Sequence, residues 1–432
     1  MATVKLPISN RGPKIRNFYR GGMQGGFPNI RHMRAFLETA RTGSVSVAAE
    51  RCHLSQPAAT QAIGRLEAEF GTPLLIRGRR QAVLTTCGTF FARRAAKALR
   101  HLKEGSQAAL REAGNRAQRR STFEFSVTAS QLRNLIAIAN AGSFAVAART
   151  LGLSQPTVHR TARSLEAVAG VPFFIARPSG VRLTPAAEAF VLAAKLAQTE
   201  IRQGIEEMSR ELGQEQGTFV LGSLPLARTT IVPKAVHAMV SNVKRFQIRV
   251  VEGRYAEVLR SLREGDIDCL IGALRHPPPA DDIKQELLFY DALAIVAHPD
   301  HPLAGMRNVR LEDTLDYPWI APPKETPAGQ YLFDTLRIQE VPETPVRVIS
   351  SSLGVLRGVL AEGPYVSIVS RHQINVDESL GAIAALDVPL SGHVRGIGLT
   401  YRSEWCPTET QARFIDYLHH FSKTGQGMRG SR

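Results

Sequence analysis

The sequence predicts a multidomain chain in which two mainly helical units, each ending in a two-stranded wing, precede an α/β domain of two lobes. Three observations predict this fold class. A pattern of helix caps and apolar residues occurs twice at a constant offset of 99 residues. Each copy is followed by a long alanine-rich stretch with helical apolar spacing. From Thr218 onward, short apolar runs alternate with helical segments, which is typical of α/β domains.

In the first copy, Gly43 is placed to end a helix and Ser44 to cap a second, shorter helix. Ser55 caps a third helix whose first turn holds Pro57, where the missing N–H costs little. The apolar stripe of this third helix leaves one face free. The residues predicted on that outward face are Pro57, Thr60, Gln61 and Gly64.

The second copy repeats this logic. Ser143 and Ser154 are the predicted caps, and Gly152 eases the turn between the second and third helices. The outward face of its third helix is predicted to hold Pro156, His159, Arg160 and Arg163. Each unit then ends in a predicted hairpin, turning at Gly78 in one copy and at residues 178–180 in the other. Both units are therefore winged helix-turn-helix units.

Positive charge is concentrated at the N-terminal end of the chain. Residues 1–120 carry 22 Lys and Arg against 6 Asp and Glu, whereas residues 214–432 carry 23 against 25. A cationic end on a near-neutral body indicates binding to a phosphate backbone. Residues 1–28 are interpreted as a disordered basic tail. The basic residues inside the patterned region, which a soluble tail does not explain, are Arg77, Arg79, Arg80, Arg93 and Arg94.

Other functional classes find little support in the sequence. No apolar run reaches the ~18 residues that a membrane span needs, so we expect a cytoplasmic protein. No nucleophile, phosphate-loop or metalloprotease motif is present, so we expect no enzyme and no cofactor. We interpret His298 and His301 as surface histidines rather than metal ligands. The four distant cysteines predict reduced, mostly buried thiols, with a redox sensor at Cys269 as the alternative.

Both helical units carry a family resemblance. The run Gly-Ser, Ala-Ala, Leu-Ser-Gln-Pro and Leu-Glu, closing on Leu-Thr, resembles the DNA-binding domain of LysR-type transcriptional regulators over about 60 residues in each copy. The resemblance implies units at 29–86 and 128–184, and double-stranded DNA as the partner. It implies groove or phosphate contacts for Ser55, Gln56, Pro57, Thr60, Gln61, Ser154, Gln155, Pro156, Thr157, His159 and Arg160. Further candidates on the third helix and the wings are Arg163, Arg77, Arg79, Arg80, Arg177 and Arg182.

The physical chemistry of these residues fits such contacts. Helix N-terminal amides and serine hydroxyls hold phosphates, glutamine reads adenine and arginine reads guanine. Each copy departs from the family pattern, with Gln61 where a basic residue is usual and His159 where a small hydroxyl residue is usual. One copy acting only as a packing module is therefore left open. A second possibility is that the first copy supplies phosphate affinity and the second reads bases.

The stretches after the wings, 87–114 and 185–213, are identified by the resemblance as linker helices, through which family members usually dimerise. A helix of ~25 residues spans ~38 Å. If the two helices lie antiparallel within one chain, the end of the first arrives beside the second unit. We therefore hypothesise an intramolecular pseudo-dimer that addresses both halves of one operator. The competing picture is a conventional homo-oligomer with spare domains.

The C-terminal part predicts parallel sheets with crossover helices. The predicted strands are 219–222, 248–251, 269–272, 293–296, 346–349 and 365–369, and the predicted helices are 231–240, 256–263 and 353–360. Residues 217–424 resemble the LysR effector domain, which is similar to periplasmic solute-binding proteins. The resemblance implies lobe I at 217–292 and 396–424 and lobe II at 293–395.

An effector site is expected in the cleft between the two lobes. Hydroxyl groups and helix-end amides suit an anionic or hydroxylated small molecule. The candidate contacts are Ser223, Leu224, Gly253, Ala273, Leu274, Ser351 and Ser352, and the alternative for the serines is that they only cap helices. The sequence thus predicts a DNA-binding regulator controlled by a small-molecule effector. The alternative is a cytoplasmic solute-binding or sensory protein whose helical repeats serve assembly.

Overall fold

The computed structural model describes residues 26–78, 81–114, 123–178, 180–341, 345–392 and 394–424. Chain contacts divide the protein into two compact units, one of residues 1–217 with 264–266 and one of residues 218–263 with 267–432. Outside the described residues lie 1–25 of the predicted tail, Arg79 with Arg80, and Ser179 of the predicted turn. The prediction of a disordered tail was wrong at Phe27 and Pro28, which are buried because Phe27 packs into the hydrophobic core of the first unit. No helix in the described ranges is long and apolar enough to cross a membrane.

The first unit contains both copies of the repeat. The elements of the first copy are α1 Ile30–Thr42, α2 Val45–Cys52, α3 Gln56–Phe70, β1 Leu75–Arg77, β2 Ala82–Leu84 and α4 Thr86–Glu112. The elements of the second copy are α5 Ala129–Ala141, α6 Phe144–Leu151, α7 Gln155–Ala169, β3 Phe174–Arg177, β4 Gly180–Leu183 and α8 Pro185–Glu211. Strands β1 and β2 pair antiparallel, as do β3 and β4. The predicted fold class is confirmed for both copies.

The predicted caps form in both copies. Gly43 and Gly142 end α1 and α5 in the left-handed conformation, with φ of 68° and 61°. The Ser55 and Ser154 hydroxyls accept the backbone N–H groups three residues later, over 3.3 Å and 3.4 Å. These bonds satisfy amides that would otherwise have no partner at the helix start. Helices α3 and α7 therefore begin at equivalent residues.

Aromatic side chains build the core of each copy. In the first copy, the Phe91 ring centroid lies 4.6 Å from that of Phe70 and 5.7 Å from that of Phe36. In the second copy, Phe190 lies 4.8 Å from Phe123. Phe91 and Phe190 occupy equivalent positions on α4 and α8. Each linker helix therefore forms part of the core of its own winged unit.

The linker helices pack against each other within one chain. A Cβ added at Gly105 of α4 would lie 2.1 Å from the Cβ of Ala193 on α8, and one added at Gly204 would lie 3.0 Å from the Cβ of Arg94. Gly105 and Gly204 are equivalent positions, as are Arg94 and Ala193, so the pair is antiparallel with pseudo-twofold symmetry. Two glycines allow the helices to approach closely at symmetric points.

The second unit contains two five-stranded sheets. Its strands are β5 Gln216–Ser223, β6 Arg245–Val251, β7 Cys269–Ala273, β8 Ile283–Asp291, β9 Leu293–Ala297, β10 Trp319–Ala321, β11 Val346–Ile349, β12 Val366–Ser370, β13 Ala384–Ala385 and β14 Arg395–Arg402. Its helices are α9 Ile231–Asn242, α10 Tyr255–Arg263, α11 Pro327–Gln330, α12 Leu353–Ala361, α13 Asn375–Ser379 and α14 Glu409–Thr424. The strand orders are β6-β5-β7-β14-β8 and β11-β10-β12-β9-β13.

The prediction of parallel sheets was wrong, because both sheets are mixed. Strand β5 runs parallel to β7, but β14 runs antiparallel to both β7 and β8. In the other sheet, β10 runs parallel to β11 and β12, but β12 and β13 run antiparallel to β9. The chain leaves the first sheet after β8 and returns to it through β14. Alternation of strands and helices along the sequence does not reveal this return.

One interpretation of a single residue needs correction, that of His301, and one alternative is disfavoured, the redox sensor at Cys269. His301 is buried rather than at the surface, with its ring centroid 4.4 Å from that of Tyr317 and its Nδ1 accepting the Leu303 N–H over 3.1 Å. Cys269 is fully buried in β7, and burial raises the pKa of its thiol. A redox sensor needs an accessible thiolate, so Cys269 is unsuited to that role. All four cysteines are free.

Candidate nucleic-acid interface and ligand cleft

The outward face of α3 is uncharged over its first two turns. Gln56, Pro57 and Gln61 are exposed, and Thr60 is half-buried because it lies nearer the core. A Cβ added at Gly64 would meet no atom within 4 Å, so the face is open at that position. The amide and hydroxyl groups here can donate and accept hydrogen bonds.

The outward face of α7 is cationic at the equivalent depth. Gln155, Pro156, Thr157, His159 and Arg160 are all exposed. The Ser154 hydroxyl lies 2.8 Å from the Thr157 hydroxyl in addition to capping the helix. This second bond has no counterpart in α3, because residue 58 is alanine. The N-terminal turn of α7 therefore carries more polar groups than that of α3.

Neighbouring groups hold two side chains of α7 in place. The His159 ring lies edge-on to Phe144, with 5.1 Å between centroids. The Arg163 guanidinium donates to the Glu166 carboxylate over 2.8 Å, while the arginine side chain keeps 59% exposure. Arg160 has no such intramolecular partner among the contacts of the described residues and is free to reach a ligand.

A glutamate positions the wing in each copy. In the first copy, Glu67 Oε1 accepts the N–H groups of Leu74 and Leu75 over 2.8 Å and 3.0 Å. In the second copy, Glu166 Oε1 accepts the N–H groups of Phe173 and Phe174 over 2.8 Å and 3.1 Å. Hydrogen bonds to an ionised group are stronger than neutral ones. The repeated Leu-Glu motif pointed to this residue, but sequence reasoning gave it no role.

The wings are held to the helices by further equivalent bonds. The Ala82 N–H donates to the Gly43 carbonyl and the Val181 N–H to the Gly142 carbonyl, both over 2.8 Å. Thr85 caps α4 and also donates its hydroxyl to the Pro73 carbonyl over 2.8 Å. Thr184 does the same for α8 and the Pro172 carbonyl. The Leu-Thr motif therefore joins wing and linker helix.

The basic wing residues are only partly described. Arg177 on β3 and Arg182 on β4 are exposed. Arg77 lies in β1, but its side chain is outside the described residues, as are Arg79 and Arg80. The exposed pair in the second copy is available to contact a phosphate backbone.

Sequence reasoning missed one exposed cation on α3. Arg65 lies one helical turn after Gln61 and is exposed. The pKa of His32 is lowered by the burial of its ring and, in second place, by the positive charge of Arg65. The equivalent of Arg65 in α7 is Ser164, whose hydroxyl accepts a hydrogen bond from Gln131 over 3.0 Å. The spacing of four residues from Gln61 was the signal that could have identified Arg65.

Arg94 is not part of a phosphate-binding surface, contrary to the sequence interpretation. Its side chain is fully buried between α4 and α8, where it donates to Glu200, Gln203 and Glu207. Burial lowers the pKa of Arg94, but the Glu207 and Glu200 carboxylates outweigh burial and raise it above its usual value. Arg93 is half-exposed and also pairs with Glu207, over 2.8 Å. Both arginines therefore bind the partner helix.

Four of the predicted effector contacts lie at one edge of the first sheet. Ser223 ends β5 and Ala273 ends β7, and both are buried. The Leu224 N–H donates to the Ile271 carbonyl over 3.0 Å, which brings the residue after Ser223 beside β7. Leu274 is half-buried at the end of β7. Gly253, two residues beyond β6, is exposed.

The predicted serines of the second lobe lie at the start of α12. Ser352 accepts the Val355 N–H over 3.3 Å and therefore caps this helix. Ser351 is exposed immediately before it. The start of α12 therefore has a capping hydroxyl, from Ser352, and a neighbouring exposed hydroxyl, from Ser351.

A charged group at the junction of the two sheets was missed. Asp291, at the end of β8, accepts from the Ser370 hydroxyl over 2.7 Å and from the His372 N–H over 3.1 Å. Arg395 lies 3.5 Å from Asp291, and its Nε and one Nη are buried without a hydrogen-bond partner in the described structure. Burial lowers the pKa of Arg395. Only the tertiary fold brings these residues together.

Two family models match this chain. The model of a bacterial regulatory helix-turn-helix protein of the lysR family matches residues 30–89 and again residues 129–188. The model of the LysR substrate binding domain matches residues 212–422. Both copies of the repeat therefore match one model of a DNA-binding domain.

This chain is also similar to individual proteins, two by sequence and one by fold. The HTH-type transcriptional regulator GalR of Pseudomonas putida is 30% identical over 376 residues, which are 87% of this chain and 93% of that protein. The HTH-type transcriptional regulator PcaQ of Agrobacterium fabrum is 27% identical over 277 residues, 64% of this chain and 89% of that protein. A full-length OxyR variant from Pseudomonas aeruginosa superposes with a TM-score of 0.50 at 22% identity, covering 69% of this chain and 95% of that one.

Proposed function

Because the chain belongs to the LysR family of bacterial transcriptional regulators, we propose that a single chain binds both halves of one operator. The protein is a DNA-binding transcriptional regulator whose C-terminal domain binds a small-molecule effector. In the proposal, α3 enters one half-site and α7 the other. The family match of both repeats disfavours the alternative in which the helical repeats serve only assembly.

The observation that carries the proposal is the pairing of α4 with α8 inside one chain. Each helix has 27 residues, which corresponds to a length of ~40 Å. The antiparallel pair keeps the two winged units at opposite ends. Half-sites of helix-turn-helix proteins lie about 34–36 Å apart, one turn of the duplex. The length of the pair is therefore compatible with adjacent major grooves on one face of DNA.

The proposed DNA contacts follow from exposure and chemistry. Exposed amide, hydroxyl and guanidinium groups at the start of α3 and α7 suit base edges and phosphates, and exposed wing arginines suit phosphates. The contacts that we propose are Ser55, Gln56, Pro57, Thr60, Gln61, Arg65, Arg77, Arg79, Arg80, Ser154, Gln155, Pro156, Thr157, His159, Arg160, Arg163, Arg177 and Arg182.

We propose that the effector binds between the lobes of the C-terminal domain. The buried hydroxyl of Ser223 at the end of β5, and the helix start at Ser352, suit an anionic or hydroxylated molecule. The residues in this proposal are Ser223, Leu224, Gly253, Ala273, Leu274, Ser351 and Ser352. A ligand that prefers one arrangement of the lobes shifts the population toward it, which couples effector to operator.

The location of the protein and its lack of catalytic activity follow from its role as a regulator. A regulator of transcription works where DNA is, so we propose a cytoplasmic location. We also propose that the chain has no catalytic activity, because the family models and relatives describe regulators. Any homo-oligomer would form through surfaces other than the paired faces of α4 and α8, since these are already occupied.

The stoichiometry of the complex tests the proposal. The full chain is used to select duplexes from sheared genomic DNA, and a selected duplex is titrated while light scattering measures the mass of the complex. We expect one chain per pair of half-sites and a footprint that covers both. As a control, Arg160→Ala should shorten the footprint at one half-site only. Two chains on every footprint of that length would reject single-chain binding.

A further inference from the structure

We propose that the operator of this regulator is asymmetric, with guanine at the base position read by Arg160 and adenine at the equivalent position read by Gln61. This inference rests on the proposed function and deepens it. Homodimers with identical recognition helices bind two like half-sites, whose symmetry mirrors that of the protein. Here the two recognition helices belong to one chain and are not alike.

The two helices present their side chains from equivalent frames. The caps at Ser55 and Ser154 fix the start of each helix, and the glutamates Glu67 and Glu166 hold the following wing by matching pairs of bonds. The offset of 99 residues continues without a gap through both helices. Side chains at equivalent numbers therefore reach equivalent places in the groove, and a difference between them is a difference in base reading.

The decisive pair of positions is Gln61 and Arg160. Both side chains are exposed in the second turn, where recognition helices contact base edges. A guanidinium donates two hydrogen bonds to O6 and N7 of guanine, whereas a glutamine amide pairs with N6 and N7 of adenine. One such contact discriminates against the wrong base by about tenfold or more. Arg65 lies a turn further from the helix start, where it suits the phosphate backbone.

Neighbouring positions strengthen the difference between the two faces. Thr60 in α3 corresponds to His159 in α7, and the His159 ring is fixed against Phe144. Gly64 in α3 corresponds to Arg163 in α7, which keeps more than half of its side chain exposed. The face of α7 is therefore larger and more cationic, and the face of α3 is smaller and neutral at the same depth.

Because α4 pairs with α8, each DNA-binding unit contains one α3 and one α7. Arg94 of α4 needs the carboxylates of Glu200 and Glu207, which α8 supplies. The α8 residue equivalent to Arg94 is Ala193, so two α8 helices paired together would bury these glutamates without an arginine. Two α4 helices would lack the glutamates, because the equivalent residues are His101 and Ala108. Pairing of α4 with α8 is therefore the charge-complementary arrangement.

The inference is tested by exchanging the two reading residues in the full chain. Selection from random duplexes with the wild-type protein first identifies the two contacted base pairs. Four duplexes are then compared at fixed salt: one with guanine at the Arg160 position and adenine at the Gln61 position, one with these two bases exchanged, one with guanine at both and one with adenine at both. We expect the wild type to bind the first duplex at least about tenfold more tightly than either symmetric one.

The variants make opposite predictions for the symmetric duplexes. Gln61→Arg should bind the guanine duplex best, and Arg160→Gln should bind the adenine duplex best. The double variant with both changes should prefer the duplex in which guanine and adenine are exchanged between the two positions, which a merely structural role for either residue would not produce. Both residues are exposed, and matched unfolding curves confirm that each variant is folded.

The possible results separate this inference from the proposed function. Absence of binding to any duplex by any of the four proteins would overturn both. Specific binding in which all four proteins prefer the same duplex would overturn the asymmetric operator alone. A wild type that prefers a symmetric duplex would have the same consequence.

Discussion

The two winged units differ little in their interior and strongly on their outward faces. Matching glycines end the first helices, matching serines cap the recognition helices and matching glutamates hold the wings. By contrast, the second-turn residue that faces outward is Gln61 in one unit and Arg160 in the other. Backbone amides need a partner wherever the helix starts, but a solvated side chain places no demand on the fold. Outward residues can therefore diverge while the scaffold stays the same.

Even within the scaffold, equivalent positions are not all filled alike. His53 adopts φ of 55° at the turn after α2, where the second unit has Gly152 at 65°. Arg94 and Ala193 occupy equivalent places on α4 and α8, yet only the arginine carries a buried charge. The symmetry of the helix pair is thus broken at this position, so α4 and α8 are not interchangeable.

The largest effect is expected from removing a carboxylate partner of the buried Arg94. Glu207→Ala leaves the buried guanidinium of Arg94 without its main carboxylate, at a cost of about 3–5 kcal/mol in the free energy of unfolding of the helix pair. Hydrogen exchange of the α4 amides in the full chain measures this cost. Glu188→Ala, an exposed change on the same helix, should shift it by less than about 1 kcal/mol. Similar protection in both variants would contradict the role assigned to Glu207.

The equality of the two wings is tested by removing their glutamates. Glu67→Ala and Glu166→Ala should each destabilise the adjoining wing by about 2 kcal/mol, since each change removes a charged acceptor of two amides. Exchange rates of the amides of Leu74 and Phe173 report the effect. The two losses should agree within about 0.5 kcal/mol. A wing that does not respond would mean that the units are held differently.

Substitutions in each of the two winged units test whether the first unit supplies phosphate affinity and the second reads bases. Arg160→Ala should relax sequence preference by about 1–3 kcal/mol at one base pair. Arg79→Ala with Arg80→Ala should weaken binding to all duplexes similarly and reduce the slope of log affinity against log salt by about 1 for each of the two arginines that binds a phosphate. Gel shifts on specific and unrelated DNA at several salt concentrations distinguish them. The reverse pattern would reject the division.

The smallest effect is expected at the open position of α3. Gly64→Ala adds a methyl group that meets no atom within 4 Å, and it should stabilise the helix by about 0.5–1 kcal/mol. Chemical unfolding measures the stability, and a gel shift measures binding in parallel. Higher stability with unchanged affinity would mean that DNA leaves room at this position. Unchanged or lower stability would contradict an open, helical environment at Gly64.

Local sequence signals predicted the outward faces of α3 and α7. Residues such as Pro57, Gln61 and Arg160 were assigned to an outward face because caps and apolar spacing fix how a helix is turned toward its core. Strand β11 was predicted with the bounds that the structure has, Val346–Ile349. Arg65 was missed although its spacing was available. The glutamates of the Leu-Glu motif were noticed, but their acceptor role needs the wing to fold back on the helix.

Long-range contacts account for the errors. Strands β8, β10, β13 and β14 were not predicted. The family resemblance implied that the chain returns to the first lobe at residue 396, but it did not give the antiparallel direction of β14 beside β7 and β8. His301 lies in a proline-rich loop that appeared exposed, yet the loop packs it against Tyr317. No local pattern carries that information.

By itself, the sequence determined that one capped helical module is used twice, that the outward faces of the two third helices differ and that an α/β domain follows. These properties depend on neighbouring residues, whose hydrogen bonds and apolar spacing operate within a few turns. The tertiary structure decided which arginines are free to meet a ligand. Arg94 and Arg160 are both arginines on predicted helices. Arg94 is buried against Glu200 and Glu207, which lie more than 100 residues away in sequence, whereas Arg160 is exposed. Desolvation and pairing of a charge depend on the folded surroundings, which the local sequence does not specify.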